Sequence, residues 1–264
     1  MGMRPRLRAI YGFARSMVIY RSQVWRRGRM RRFYGQFIQP GDVCFDVGAH
    51  VGNRVSAWRE LGASVVAVEP QRRMASFLRW YFRRDSAVTV LEKALAANAG
   101  QATFLASNAT PTLSTLTASW AEDVQRDPRF RKTRWDERYT VEVETLDSLV
   151  ARYGRPTFCK IDVEGGELDV LQGLSEPLDA FSFEYIPVMR EQAKACVRRL
   201  ESLGAYRYNW SKVETMRFGS ERWLDADGIV AYLDGLADDD RSGDVYAVRL
   251  GHRLLADGRR PQAA

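Results

Sequence analysis

Phe45-Asp46-Val47-Gly48-Ala49-His50-Val51-Gly52-Asn53, followed by Ala67-Val68-Glu69-Pro70, decides the fold of this chain. The first stretch reads as a buried strand that enters a glycine turn and then a helix. The second is the next strand, ending in a carboxylate 23 residues after Asp46. Glycines in such a turn let a ligand approach the backbone, and the helix start offers unpaired N–H groups with a partial positive charge. A carboxylate at the end of the following strand can accept both hydroxyls of a ribose. The pattern predicts a nucleoside-bearing cofactor on a strand–turn–helix unit.

The spacing narrows the cofactor. A dinucleotide fingerprint, G-x-G-x-x-G, packs a pyrophosphate against the helix start. Only Gly48 and Gly52 are present here, separated by three residues, and Asp46 stands in front of them. An anionic side chain there would repel a pyrophosphate but suits the ammonium of an amino-acid moiety. S-adenosylmethionine carries that ammonium beside its sulfonium, so it fits better than a nicotinamide dinucleotide. A glycine turn without ligand is the plain alternative, and Glu69 in its expected place argues against it.

Outward from this unit, strands alternate with helices. Val43–Val47 is a strand; a helix follows from Gly52 to Leu61 and stops at Gly62; Ser64–Glu69 is the second strand. Pro70 opens a second helix with Met74, Phe77, Leu78 and Tyr81 on its core face. Extended segments follow at Val88–Leu91, Gln101–Leu105 and Tyr139–Glu144, and a helix begins at Leu146 with Thr145 or Asp147 as its cap. Thr157–Val163 and Ala180–Tyr185 are buried strands, and Val188–Leu203 is helical with Met189, Ala193, Val197 and Leu200 inward. Ala205–Trp210 and Asp244–Leu250 read as an antiparallel edge pair. The order argues a mostly parallel, doubly wound α/β sheet. Residues 107–138 break the pattern with polar and mixed-charge sequence, an insertion that reads as a lid or as a solvated charged helix.

A second constellation is Lys160-Ile161-Asp162-Val163-Glu164-Gly165-Gly166-Glu167. On a strand, positions 160, 162 and 164 share a side, so three ionisable groups would project together at the carboxyl end of a parallel strand. One reading is a structural Lys160–Asp162 pair; the other is a site where carboxylates face a cofactor and a substrate hydroxyl. Glu184, at the end of the apolar strand Phe181–Tyr185, holds the equivalent place on the next strand, where an apolar setting raises a carboxyl pKa and suits a general base.

Asp46-Val47-Gly48-Ala49, Val68-Glu69-Pro70, Lys93-Ala94-Leu95 and above all Lys160-Ile161-Asp162-Val163-Glu164-Gly165, with Glu167 and Leu171, resemble the FkbM-type methyltransferases over roughly residues 40–210. The resemblance implies a Rossmann-like class I fold and S-adenosylmethionine as donor, with O-methylation of a hydroxyl on a sugar, glycolipid or polyketide-like metabolite. It sets Asp46, Gly48, Gly52 and the neighbouring Asn53 against the methionine portion, Glu69 on the ribose, Lys93 and Ala94 beside the adenine, and Asp162 near the transferred methyl. Ser107, Asn108 and Ser114 correspond to the polar segment over the acceptor. His50 stands where the family carries Asn or another polar residue, and reads equally as a cofactor contact or a solvated turn histidine. Asp162 and Glu184 are the candidates to take the hydroxyl proton, and Lys160 sets the local charge. No metal is expected in this reading; in a rival one, Asp162, Glu164 and Glu184 hold Mg²⁺.

With 264 residues, 45% hydrophobic and 11% aromatic, the chain can bury a large core. Cys44, Cys159 and Cys196 are odd in number and widely spaced, which predicts reduced thiols and a cytoplasmic setting rather than a zinc site or disulfides. The net charge of +7 is uneven: residues 1–41 hold ten arginines and no Asp, Glu or Lys, so the remainder carries −3. A basic arm, residues 1–40, thus precedes a mildly acidic catalytic domain, 41–250, and a tail, 251–264. That imbalance argues against a nucleic-acid partner. In the arm, Ile10, Phe13, Met17, Tyr20 and Val24 form one helical stripe. It would pack on its own domain or in a homodimer, or lie on an anionic membrane through residues 1–34, the last being favoured if Phe33, Tyr34 and Phe37 are exposed. A non-catalytic scaffold that binds a membrane or a partner through this arm is the rival from outside the enzymes. A small molecule or glycan is the expected substrate.

Overall fold

The computed structural model describes residues 24–117, 120–121, 125, 131 and 133–256. Ile10, Phe13, Met17 and Tyr20 of the stripe and much of the charged segment 122–138 lie outside them. A seven-stranded sheet is built from β1 (Val43–Val47), β2 (Ser64–Val68), β3 (Val88–Leu91), β7 (Phe158–Ile161), β8 (Ala180–Tyr185), β9 (Tyr206–Lys212) and β10 (Gly243–Arg249). Its order is β3-β2-β1-β7-β8-β10-β9, and only β10 runs against its neighbours. The last two strands do pair antiparallel, but β10 inserts between β8 and β9 rather than forming the rim. Three further strands, β4 (Ala94–Leu95), β5 (Gly100–Ala106) and β6 (Glu137–Glu144), make a separate small sheet in the order β4-β6-β5.

Helices cover both faces, as a largely parallel sheet requires. On one face α4 (Leu146–Tyr153), α5 (Glu167–Gln172), α6 (Arg190–Leu203) and α7 (Ala226–Asp234) bury Leu149, Leu171, Val197 and Ile229 against Phe45, Ile161, Phe183 and Val245. On the other, α1 (Val24–Tyr34), α2 (Asn53–Glu60) and α3 (Arg72–Tyr81) cover Cys44, Val65, Phe158 and Tyr246. Thr145 caps α4, its hydroxyl accepting from the Ser148 amide at 3.2 Å, while Asp147 accepts instead from the amide of Ser175. All three cysteines are free and buried.

The end of the basic arm belongs to this core. Met30, Phe33, Tyr34, Phe37 and Ile38 are buried, and Phe33 meets Tyr34, Phe37, Phe218 and Tyr246 with ring centroids 4.9–5.9 Å apart. The exposure of Phe33, Tyr34 and Phe37 that would have favoured a membrane is therefore not met: their apolar area is spent inside the domain. No helix among the described residues is long and apolar enough to cross a membrane. Phe33→Ala should cost about 3–5 kcal/mol of unfolding free energy, as for other fully buried aromatics, measured by urea denaturation; a loss below ~1 kcal/mol would show α1 to be dispensable to the core.

Candidate active site

The parity of the strands assembles the site. Asp46 on β1 aligns with Lys160 on β7, Lys160 with Ser182 on β8, and Glu184 with Asp244 on β10. Even-numbered side chains of β1, β7 and β8 face the α1–α3 side, so these polar groups form one row at the carboxyl ends of the parallel strands. Glu184 and Asp244 of this row border a cavity of about 260 Å³ lined also by Gly48, His50, Glu69, Lys93 and Asp162, among others.

Gly48 is where the two motifs touch. Its φ is +86°, and a Cβ there would lie 1.8 Å from the carbonyl oxygen of Asp162, so only glycine fits. The adjoining backbone continues the ladder, the Asp162 amide donating to the Val47 carbonyl at 2.9 Å. Gly52 serves packing instead: it is the left-handed N-cap of α2, and a Cβ would meet Leu78 at 2.6 Å. Glu69 is pinned by two amides, of His50 and Gln71, each at 2.8 Å. Burial nonetheless pushes its carboxyl up to about 7 against those hydrogen bonds. Asp46 is raised to about 6, again by burial, and its Oδ1 has no hydrogen-bond partner among the described residues.

Lys160 is fully buried between two carboxylates, Asp162 at 2.8 Å and Asp244 at 3.3 Å. The expected Lys160–Asp162 pair is thus present and has a third member from β10. Burial works against both charges, yet Lys160 brings the Asp162 carboxyl below its usual range, and the two acids hold the Lys160 ammonium firmly protonated. Arg54 adds a second cation at the cavity wall, donating to the Tyr34 hydroxyl at 3.3 Å and to Glu214 at 3.4 Å.

β7 ends at Ile161, earlier than the sequence pattern suggests, so strand alternation does not carry Glu164 to its place. A turn does, with Glu164 at φ +56° and Gly165 at +94°. Glu167 ties this turn through the amides of Val163 and Gly165, at 3.0 and 3.1 Å. From above, Thr115 Oγ1 donates to the Glu164 carbonyl at 2.7 Å, and Trp120 lies flat enough on Gly165 that a Cβ would meet it at 2.0 Å. Thr115 and Trp120, both from the 107–138 segment, therefore pack on the acidic turn. One carboxylate oxygen each of Asp162, Glu164 and Glu184 lie within 4.8 Å of one another. Burial first, then repulsion among these acids, keeps Glu164 and Glu184 well above the ordinary carboxylate range.

Gly48, His50, Asn53, Glu69, Lys93, Ala94, Ser114, Asp162 and Glu184 line the cavity. Asp46, Gly52, Lys160, Ser107 and Asn108 do not. Asp46 and Lys160 stand behind the lining in the strand row. Ser107 and Asn108 fold onto their own loop, through Thr110 Oγ1 at 2.7 Å and the Asp136 carboxylate at 3.0 Å. The Lys93 ammonium is engaged by Glu142 and Glu144. Burial lowers His50 to about 4, so its ring is neutral in the turn. Arg54, Glu214 and Asp244 also border the cavity and were not singled out from sequence. Arg54 lies two residues past Gly52 on the first turn of α2, which was a usable signal; Asp244 needed the insertion of β10 beside β8 to be known.

The FkbM methyltransferase domain model matches residues 46–215. No curated protein sequence matches the chain. Among solved structures, similar ones include a TehB-like S-adenosylmethionine-dependent methyltransferase from Corynebacterium glutamicum (8% identity, TM-score 0.48, 93% of this chain and 100% of that one). Others are the precorrin-6y C5,15-methyltransferase of Geobacter metallireducens (11%, 0.45, 84% and 87%) and an S-adenosylmethionine-dependent O-methyltransferase of Thermotoga maritima (10%, 0.40, 84% and 64%).

S-adenosylmethionine, the methyl donor of the family, fits the residues present. The orphaned Asp46 oxygen suits an ammonium, the Gly48 turn lines the cavity, and Glu69 keeps lone pairs for a ribose. Because Asp46 and Glu69 must be ionised for this, protons compete with the cofactor. Affinity should fall as pH drops from 8 to 5, through the raised values near 7 and 6; a pH-independent Kd in calorimetry would contradict these roles. The family-model match spans well over half of the sequence and includes both motifs, so the chain belongs to the FkbM methyltransferase domain family.

Proposed function

We propose that this methyltransferase transfers the methyl group of S-adenosylmethionine to a hydroxyl oxygen of a small molecule or glycan. The observation that carries the reading is the meeting, in one cavity, of the Gly48 turn and Glu69 with the carboxylates of Asp162, Glu164 and Glu184. When bound, the cofactor supplies an electrophilic methyl on its sulfonium. The chain must then hold a hydroxyl in line with it and receive the proton as the C–O bond forms and the C–S bond breaks. Asp162, kept ionised by Lys160, is placed to accept the hydroxyl's hydrogen bond and orient it. Glu184 is the proton acceptor: its basicity is raised, and its ionised form is relieved once a cationic donor enters beside the acids.

Beyond the matched region, Ser242, Gly243 and Asp244 build part of the wall, so the acceptor is read partly by the antiparallel pair. Carboxylates dominate this wall, which suits a hydroxyl-rich acceptor more than an anionic one. Glu184→Gln should lower kcat by about 10²-fold or more while leaving cofactor Kd unchanged, base assistance being worth ~10²–10⁴-fold. The measurement is turnover against hydroxylated glycans and natural products. Wild-type kcat in Glu184→Gln would remove its assigned role.

The same three acids favour a second reading in which a hard cation assists the transfer. Their oxygens are close enough to share an ion, and a cation would relieve their repulsion. Loss of activity in EDTA with recovery on Mg²⁺ would select this variant; full activity in EDTA removes it.

A further inference from the structure

Met30, Phe33 and Tyr34 of α1 are buried in the core, yet a different surface combines exposed aromatic rings with an excess of positive charge. Trp80 is 58% exposed and Tyr81 39%, at the end of α3. Phe77, Trp80 and Tyr81 form one ring cluster, with centroids 5.7–6.5 Å apart. The Arg83 guanidinium lies over the Trp80 ring at 5.2 Å, and Arg27 from α1 donates to the Tyr81 hydroxyl at 3.4 Å, joining the two helices.

Charge around this cluster is net positive. Residues 71–84 contain five arginines (72, 73, 79, 83, 84) and no acid, and α1 contains five more (26, 27, 29, 31, 32) and no acid. Glu92 pairs with Arg72 and Arg79, and Glu60 with Arg27 and Arg31. Arg73, Arg83 and Arg84 have no carboxylate partner among the described residues. A shallow groove of about 530 Å³ between α1, α2 and the end of α3 is lined by Arg27, Arg59, Tyr81 and Arg84 with the acids Glu60 and Asp85, the latter paired with Arg59 at 2.8 Å.

An exposed indole flanked by unpaired guanidinium groups matches the headgroup layer of an anionic bilayer: the ring sits at the interface and the cations meet lipid phosphates. We propose that the end of α3, with Trp80 at its centre and Arg73, Arg83 and Arg84 around it, docks this protein on membranes containing anionic phospholipids. The face lies away from the cavity. Gln71, at the start of α3, lines the cavity, and Trp80 follows nine residues later, roughly 14 Å along the helix at its usual rise. Docking therefore leaves the cavity mouth open to a soluble acceptor.

The test is co-sedimentation of the full chain with phosphatidylcholine vesicles, with and without about one-third phosphatidylglycerol. The wild type is expected to sediment only with the anionic vesicles and to be released by high salt. Trp80→Ala should weaken partitioning roughly tenfold, and Arg83→Glu combined with Arg84→Glu should abolish it. Circular dichroism and cofactor affinity should match the wild type in both variants, because neither touches the cavity. Absence of binding to anionic vesicles overturns the proposal. So does wild-type binding by both variants, which would assign the attraction to residues 1–34 alone. A dimer that Trp80→Ala splits would likewise overturn it, with a second copy as the occupant.

Discussion

A single close approach organises the molecule. The backbone of Gly48 passes so near the Asp162 carbonyl that no side chain can stand between them, and this contact joins the cofactor turn to the acidic loop. β1 and β7 are sheet neighbours because of the strand order, but neighbouring strands need not end together. Here the ladder continues from Val47 to Asp162, and the left-handed turn at Gly48 lifts His50 and its amide towards Glu69. In the proposed function, donor and acceptor sites are thereby held at one fixed distance, which an in-line transfer demands.

Behind that contact lies a set of charges gathered around the fully buried Lys160. Lys160 without Asp162 and Asp244 would be an isolated buried ammonium, a cost of several kcal/mol. The pairing makes the carboxylates mutually dependent on β7 and β10, so β10, which lies outside the matched residues 46–215, is tied to β7. Arg54 extends the set to α1 through Tyr34 and to the β9–α7 connection through Glu214. The end of the basic arm is thus structural where it meets the domain, whatever surface its arginines offer outside.

Much of this was legible in the sequence because it is local. Strand, glycine turn and helix around Gly48 follow from short-range pattern, as do the cap at Thr145 and the buried thiols. Glu69 was readable because its place depends only on one strand's length. What could not be read is what depends on register between distant segments. The insertion of β10 beside β8 brings Asp244 to Lys160, and no local pattern encodes that. The assignment of Glu164 to a strand face failed because β7 stops at Ile161 and two left-handed residues redirect the chain. Ser107 and Asn108 are acceptor contacts only by the family resemblance; in the structure the Ser107 hydroxyl pairs with Thr110 and the Asn108 amide with Asp136.

The central claim is that the Gly48 turn, Asp46 and Glu69 form the seat of S-adenosylmethionine. Calorimetric titration of the cofactor into wild type, Asp46→Ala and Glu69→Ala tests it most directly, each variant first shown folded by circular dichroism. The account predicts one-to-one binding by the wild type and no measurable heat from either variant. Unchanged affinity in both would contradict it.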